Sequence, residues 1–204
     1  STRTSVSSRG MARLKRNWGQ APSAYLDRQP YFQDMPRLLV HETLVHLIDV
    51  FCALFGDVSH VFSDLRRLNP AIKGEDVGVI ILSFKDGKRA VIDGNWLVDH
   101  AAKNRRLVMG EMWVEGSAGT LRLDGDAHLF SRAHGSNDEQ PLDYTWNDHG
   151  YGGDCVYRLC AHVLEKLQAG ETHENTAVDY LSNLKIVEAL YLSDAEGRRI
   201  DLDV

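Results

Sequence analysis

Beyond Pro36 the hydrophobic period changes twice, and that order of rhythms limits the fold more than any other feature. RLLVHETLVHLIDVFCALFG places Leu39, Leu44, Leu47, Ile48, Phe51, Leu54 and Phe55 at helical spacing and closes on Gly56 as a C-cap. VSHVFSDLRRL, DVGVIILSF, RAVIDGNWLV, RRLVMGEMWVEG, GTLRLDG and DAHLFSRA follow. These are short, β-branched or alternating, and separated by Gly and Asp, which predicts an antiparallel meander of about six strands with a hairpin at the Asp-Gly of FKDGKRA. PLDYTW adds a further strand after the polar loop HGSNDEQP. Two amphipathic helices come next, roughly 153–169 stopped by Gly170 and 176–194 stopped near Gly197, and RRIDLDV closes as an edge strand.

Helix, strands, then two helices gives an α+β domain: a mainly antiparallel sheet with helices packed on one face. DVGVIILSF is apolar at both alternations, so the other face is expected to serve oligomerisation, as a homodimer or tetramer. A chain of 204 residues suits one domain. STRTSVSSRG has no periodicity, and residues 1–11 are read as flexible or vector-derived, with the domain at 12–204.

A net charge of -6 argues against a nucleic-acid partner, and the basic RGMARLKR reads as a polar strand or flexible arm. Cys52, Cys155 and Cys160 are unpaired in pattern and sit in apolar helical stretches, so they are expected to be buried in a reducing compartment. No run is long enough to span a membrane, and there is no signal-peptide core. A cytoplasmic location is expected.

HETLVHLID, residues 41–49, almost spells the zinc motif H-E-x-x-H. On a straight α-helix His41 and His46 lie about 140° apart and cannot share a metal. Glu42, His46 and Asp49, at i, i+4 and i+7, line one face as carboxylate, imidazole and carboxylate. Such a column can act as a general base toward a hydroxyl group. It can equally be a solvated face with an ion pair, and metal held by Glu42, His46 and a distant His100 or His128 is a third option. In AYLDRQPYF, Tyr25, Arg28, Gln29 and Tyr31 offer donors to a hydroxylated or carboxylated substrate, and Arg37 could clamp an anion. Each also fits an ordinary surface loop. Tyr151, in the Gly-rich turn DHGYGGD, could approach substrate, while Asp154 of that turn could simply cap the helix. Tyr180, Leu184, Val187 and Leu190 form a core stripe.

E-T-L-V-H-L-I-D-V-F-C-A-L-F-G resembles a helix of the glucose-fructose oxidoreductase / inositol dehydrogenase family of NAD(P)-dependent oxidoreductases. EDVGVIILSFKDGKRAVIDGNW, MWVEGSAGTLRLD and AVDYLSNLKIVEALYLSDAEGRRIDL are similar to its strand pair, its G-x-x-G turn and its closing helix and strand. The resemblance runs from about Pro30 to Leu202. It implies the substrate-binding and oligomerisation domain that follows a Rossmann domain, acting on a sugar, cyclitol or related polyol. It also implies that His46 removes the hydroxyl proton, that Glu42 orients it or binds substrate, that Asp49 is an acidic neighbour, and that Trp96 is either a substrate-facing aromatic or core. Neither G-x-G-x-x-G nor an E-K-P-like lysine motif is present, so NAD or NADP is expected to be bound by a domain this chain lacks, and the chain alone to be inactive. A non-catalytic ligand-binding or assembly module on the same fold is the alternative, and a metal-dependent hydrolase or isomerase a weaker one.

Overall fold

The computed structural model describes residues 11–17 as backbone, and 29–105, 107–146, 149–150, 152–174 and 176–202. Among the described residues nine strands form one sheet: β1 (Met11–Asn17), β2 (Val58–Arg66), β3 (Val77–Phe84), β4 (Arg89–Asn95), β5 (Glu111–Gly116), β6 (Gly119–Leu123), β7 (Leu129–Ala133), β8 (Gln140–Leu142) and β9 (Ile200–Asp201). Their order is β8-β7-β6-β5-β1-β4-β3-β2-β9. Every pairing is antiparallel except β1 with β4. The strands predicted from alternation are present, and β9 lies at the edge as expected.

The helices are α1 (Val45–Phe55), preceded by a wide π-helical turn at Leu39–Leu44, then α2 (Cys155–Ala169) and α3 (Ala177–Glu196). The core lies between the sheet and the α1 and α3 helices. Leu39, Leu44, Ile48 and Phe51 from the first helical segment meet Ile80, Leu82, Ala90 and Ile92 from the strands, all fully buried. Leu54 of the expected stripe is instead half-exposed.

Two strand glycines admit the wide turn. Gly78 and Gly94 are paired across β3 and β4. A Cβ on Gly94 would come within 3.1 Å of Leu44 and 3.3 Å of Leu39. The missing side chains leave a shallow depression that these leucines fill.

The α3 helix starts with a capping box between Thr176 and Asp179. It buries Asn183, Ile186, Val187, Leu190 and Ser193 at helical spacing; Tyr180, expected in this stripe, lies a turn earlier and is 42% exposed. Because β9 pairs with β2 only at His60 and Val61, the rest of that edge needs other partners. Ser193 accepts the Ser63 N–H at 3.1 Å and Asp194 the Leu65 N–H at 2.7 Å.

The expectation that all helices cover one face holds for α1 and α3 but not for α2. That helix has no buried residue, and its apolar Val156, Tyr157, Leu159, Leu164 and Leu167 are exposed. Cys155 and Cys160 are exposed with it, and Cys52 is only partly buried, which corrects the reading of all three as core. Amphipathic spacing predicts the face a helix would bury, not whether this chain supplies a cover for it. Gly150, Gly152, Gly153 and Asp154 all have positive φ before α2, and Asp154 makes no side-chain cap bond.

Across the sheet from the helices, Phe62, Ile81 and Val91 form one cross-strand row with Trp113 and Phe130 further along, each partly exposed. Val79 is 43% exposed beside them. No helix among the described residues is long and apolar enough to cross a membrane.

Candidate active site

The site elements meet where the wide turn passes into α1. Within the turn the Val45 N–H reaches back five residues to the Val40 carbonyl. Each residue of such a turn rotates through less than the ordinary helical angle, which narrows the separation of His41 and His46 expected for a straight helix. Among the described residues no group of three His, Cys, Asp or Glu side chains is placed to hold a metal. His100 is buried apart from the helix, and His128 pairs with Asp124 at 3.1 Å.

Glu42 is half-buried, and His46 and Asp49 are exposed. They lie on the side of the helix opposite Leu44, Ile48 and Phe51. Glu42 accepts the Thr43 hydroxyl through Oε2. Asp49 accepts the Asn183 amide of α3 at 2.6 Å, which ties the end of this face to the closing helix. His46 makes no hydrogen bond to either carboxylate. A groove of about 500 Å³ runs beside Asp49, lined by Cys52 and Ala53 of α1 and by Thr176, Asp179 and Tyr180. Its volume falls within the range of small-molecule sites. Burial pushes the Cys52 thiol up to about 11, with Asp49 and Asp57 adding to the effect.

Of the other candidates, Arg37 is paired with Glu188 of α3 at 2.6 Å and lies 4.3 Å over the Tyr191 ring. Gln29 donates to Tyr31 at 3.2 Å on the surface. Trp96 is fully buried against Phe32, with ring centroids 5.6 Å apart. Tyr25, Arg28 and Tyr151 lie outside the described residues.

The sequence reading assigned no role to Glu75 and Asp76. Both are buried. The Glu75 carboxylate accepts the Leu38 N–H at 3.2 Å, the Val40 N–H at 3.0 Å and the Tyr191 hydroxyl at 2.6 Å. Its own carbonyl takes the Leu39 N–H at 3.0 Å. Asp76 holds the neighbouring loop through the N–H groups of Leu68 and Asn69 at 2.7 and 2.8 Å. The only signal was an acidic pair directly before an apolar strand, where charges are buried only if they are hydrogen-bonded.

A family model described as the GFO/IDH/MocA C-terminal domain matches residues 11–122, more than half of the chain. The chain belongs to this family. A D-apiose dehydrogenase from Paraburkholderia graminis is 32% identical to this GFO/IDH/MocA domain over 181 residues, covering 85% of the chain and 47% of that protein. Another D-apiose dehydrogenase, from Rhizobium rhizogenes, is 28% identical over 183 residues, covering 85% and 51%. The chain thus spans about half the length of the curated relatives it matches. An oxidoreductase from Agrobacterium radiobacter, solved with NAD+, L-tartaric acid and magnesium, superposes with a TM-score of 0.79 at 24% identity. That match covers 94% of this chain and 56% of the other, and carries the fold alone.

Proposed function

We propose that this chain is the substrate-binding and oligomerisation domain of an NAD(P)-dependent oxidoreductase acting on a sugar, cyclitol or related polyol, with His46 as the proton-transfer residue. The observation that carries the reading is an exposed imidazole on one helix face with Glu42 and Asp49, bonded to neither carboxylate. Relatives named as D-apiose dehydrogenases support the sugar class. The chain contains no G-x-G-x-x-G loop, which supports a dinucleotide site outside it. In this reading NAD or NADP belongs to a Rossmann domain outside the chain, and a bound nicotinamide supplies the hydride acceptor. The residues here bind the hydroxylated substrate and manage its proton.

His46 receives the hydroxyl proton as the adjacent C–H bond is oxidised. Glu42, one turn earlier, orients the imidazole or a substrate hydroxyl. Asp49 keeps Oδ1 on Asn183 and offers Oδ2 to the substrate. Arg37 can reach an anion only by leaving Glu188, and Trp96 acts through packing from beneath. Tyr25, Arg28 and Tyr151 complete the proposed substrate contacts.

The exposed apolar face of α2 is assigned to the Rossmann domain, and the open sheet face around Phe62, Ile81 and Trp113 to a second copy. Three cysteines outside any disulfide support a reducing, cytoplasmic setting. The test is turnover of D-apiose with NAD+ by the full-length protein and by its His46→Ala variant. Turnover should fall by about 10²-fold or more, with NAD+ binding intact. Unchanged turnover refutes the role of His46.

A further inference from the structure

We infer that Glu75 is a positioning residue for the proposed active site: its buried carboxylate holds the wide turn open and so sets where Glu42 stands relative to His46. The inference rests on the proposed role of His46. Its own basis is where the acceptors for this helix start come from. A helix start leaves its first N–H groups without intrahelical acceptors, and a side chain just before the helix normally caps them. Leu38, the N-cap here, has no polar side chain and makes no such bond. The acceptors arrive instead from a loop 37 residues away in sequence.

Gly74 makes this approach possible. A Cβ there would lie 2.8 Å from the Met35 carbonyl and 2.9 Å from the Leu38 backbone nitrogen, so any larger residue would push Glu75 away. Glu75 then takes the Leu38 N–H on Oε2 and the Val40 N–H on Oε1, spanning the point where the chain enters the turn. Tyr191 donates to the same Oε1 from α3 and fixes the carboxylate plane. Burial and the neighbouring Glu75 raise the Tyr191 hydroxyl above its ordinary range, which keeps it a donor.

The consequence falls on Glu42, which lies within the wide turn, while His46 lies in regular helix beyond it. If the turn relaxed to ordinary α geometry, the hydrogen-bond register would slip by one residue. Glu42 would then rotate by roughly 50° and shift by about 1–1.5 Å relative to His46. Misplacement on that scale is enough to cost about 10²-fold in a positioned reaction.

The test uses the full-length protein with D-apiose and NAD+. Glu75→Gln keeps the shape but sets an amide donor against the Leu38 N–H. The expected result is a folded protein whose kcat falls about tenfold or more while KM changes less than about threefold. Amide hydrogen exchange at residues 38–44 should accelerate selectively. Asp194→Ala is the control, because it removes a comparable backbone acceptor at the β2 edge and should lower stability with kcat unchanged. If folded Glu75→Gln keeps the kcat of the control, or leaves exchange at 38–44 unaltered, the inference is overturned. Should Glu75→Gln fail to fold, Tyr191→Phe decides on the same two readouts, with a kcat loss of about threefold expected. Loss of turnover in His46→Ala alongside normal kcat in Glu75→Gln sinks only the positioning role. Retained turnover in His46→Ala sinks the His46 reading itself.

Discussion

Breaking the tie between Asp49 and Asn183 separates structural from chemical roles on the candidate face. The Asn183 amide is buried, at 4% exposure, and donates to Asp49 across the α1–α3 boundary at 2.6 Å. A hydrogen bond to a charged group contributes about 1.5–3 kcal/mol when well shielded. Asp49 faces solvent, and water competes for its carboxylate, which brings the expected coupling down to about 1–2 kcal/mol. The perturbation is a double-mutant cycle of Asp49→Ala, Asn183→Ala and both, followed by urea denaturation. With a slope of about 1–3 kcal/mol per molar, each single variant should lower the midpoint by roughly 0.5–1 M. The double variant should lose little more than either one, because the surviving partner of each single variant is already without its mate. A coupling below about 0.5 kcal/mol would mean that the bond holds nothing together, and that Asp49 matters to substrate or not at all.

Leu44→Ala, at a fully buried side chain resting on Gly94, should cost about 3–5 kcal/mol in chemical denaturation, and a cost under about 1 kcal/mol would contradict the packing described. Gly119→Ala should destabilise by about 2 kcal/mol or more, since φ is +151° and the new Cβ would lie 2.1 Å from the Arg132 carbonyl; a neutral melting temperature would refute the close approach of β6 and β7. Alkylation by iodoacetamide at pH 8 should be fast at Cys155 and Cys160 and slow at Cys52. A thiol held at about 11 is ionised in only about one molecule in a thousand at that pH. In the full-length protein Cys155 and Cys160 should slow as well, as read by mass spectrometry; equal rates in both forms would argue against a domain seated on α2.

Periodicity carried most of the architecture. Short β-branched runs bounded by Gly and Asp placed β3 and β4 in DVGVIILSF and RAVIDGNWLV. Gly56, Gly170 and Gly197 ended their helices as read, each at positive φ. Glu42, His46 and Asp49 could be grouped because neighbours three and four apart share a helix face in any register close to α. The hidden part was the geometry of that face. A wide turn has no propensity signature, and here it depends on Glu75 from a distant loop and on two glycines from separate strands.

The sequence by itself determined the order of elements, the α+β class, the face of α1 that carries His46, and enough motif spacing to indicate the family. Those properties are local, or follow from period alone. Tertiary structure decided which predicted faces find a cover. It buried Ile186 and Val187 under the sheet, left Val156 and Leu159 exposed on α2, and brought Arg37 onto Tyr191. It also decided the shape of the wide turn, because the acceptors for its first N–H groups come from residues far along the chain. Hydrogen-bond satisfaction is a property of the assembled interior, which no single segment encodes.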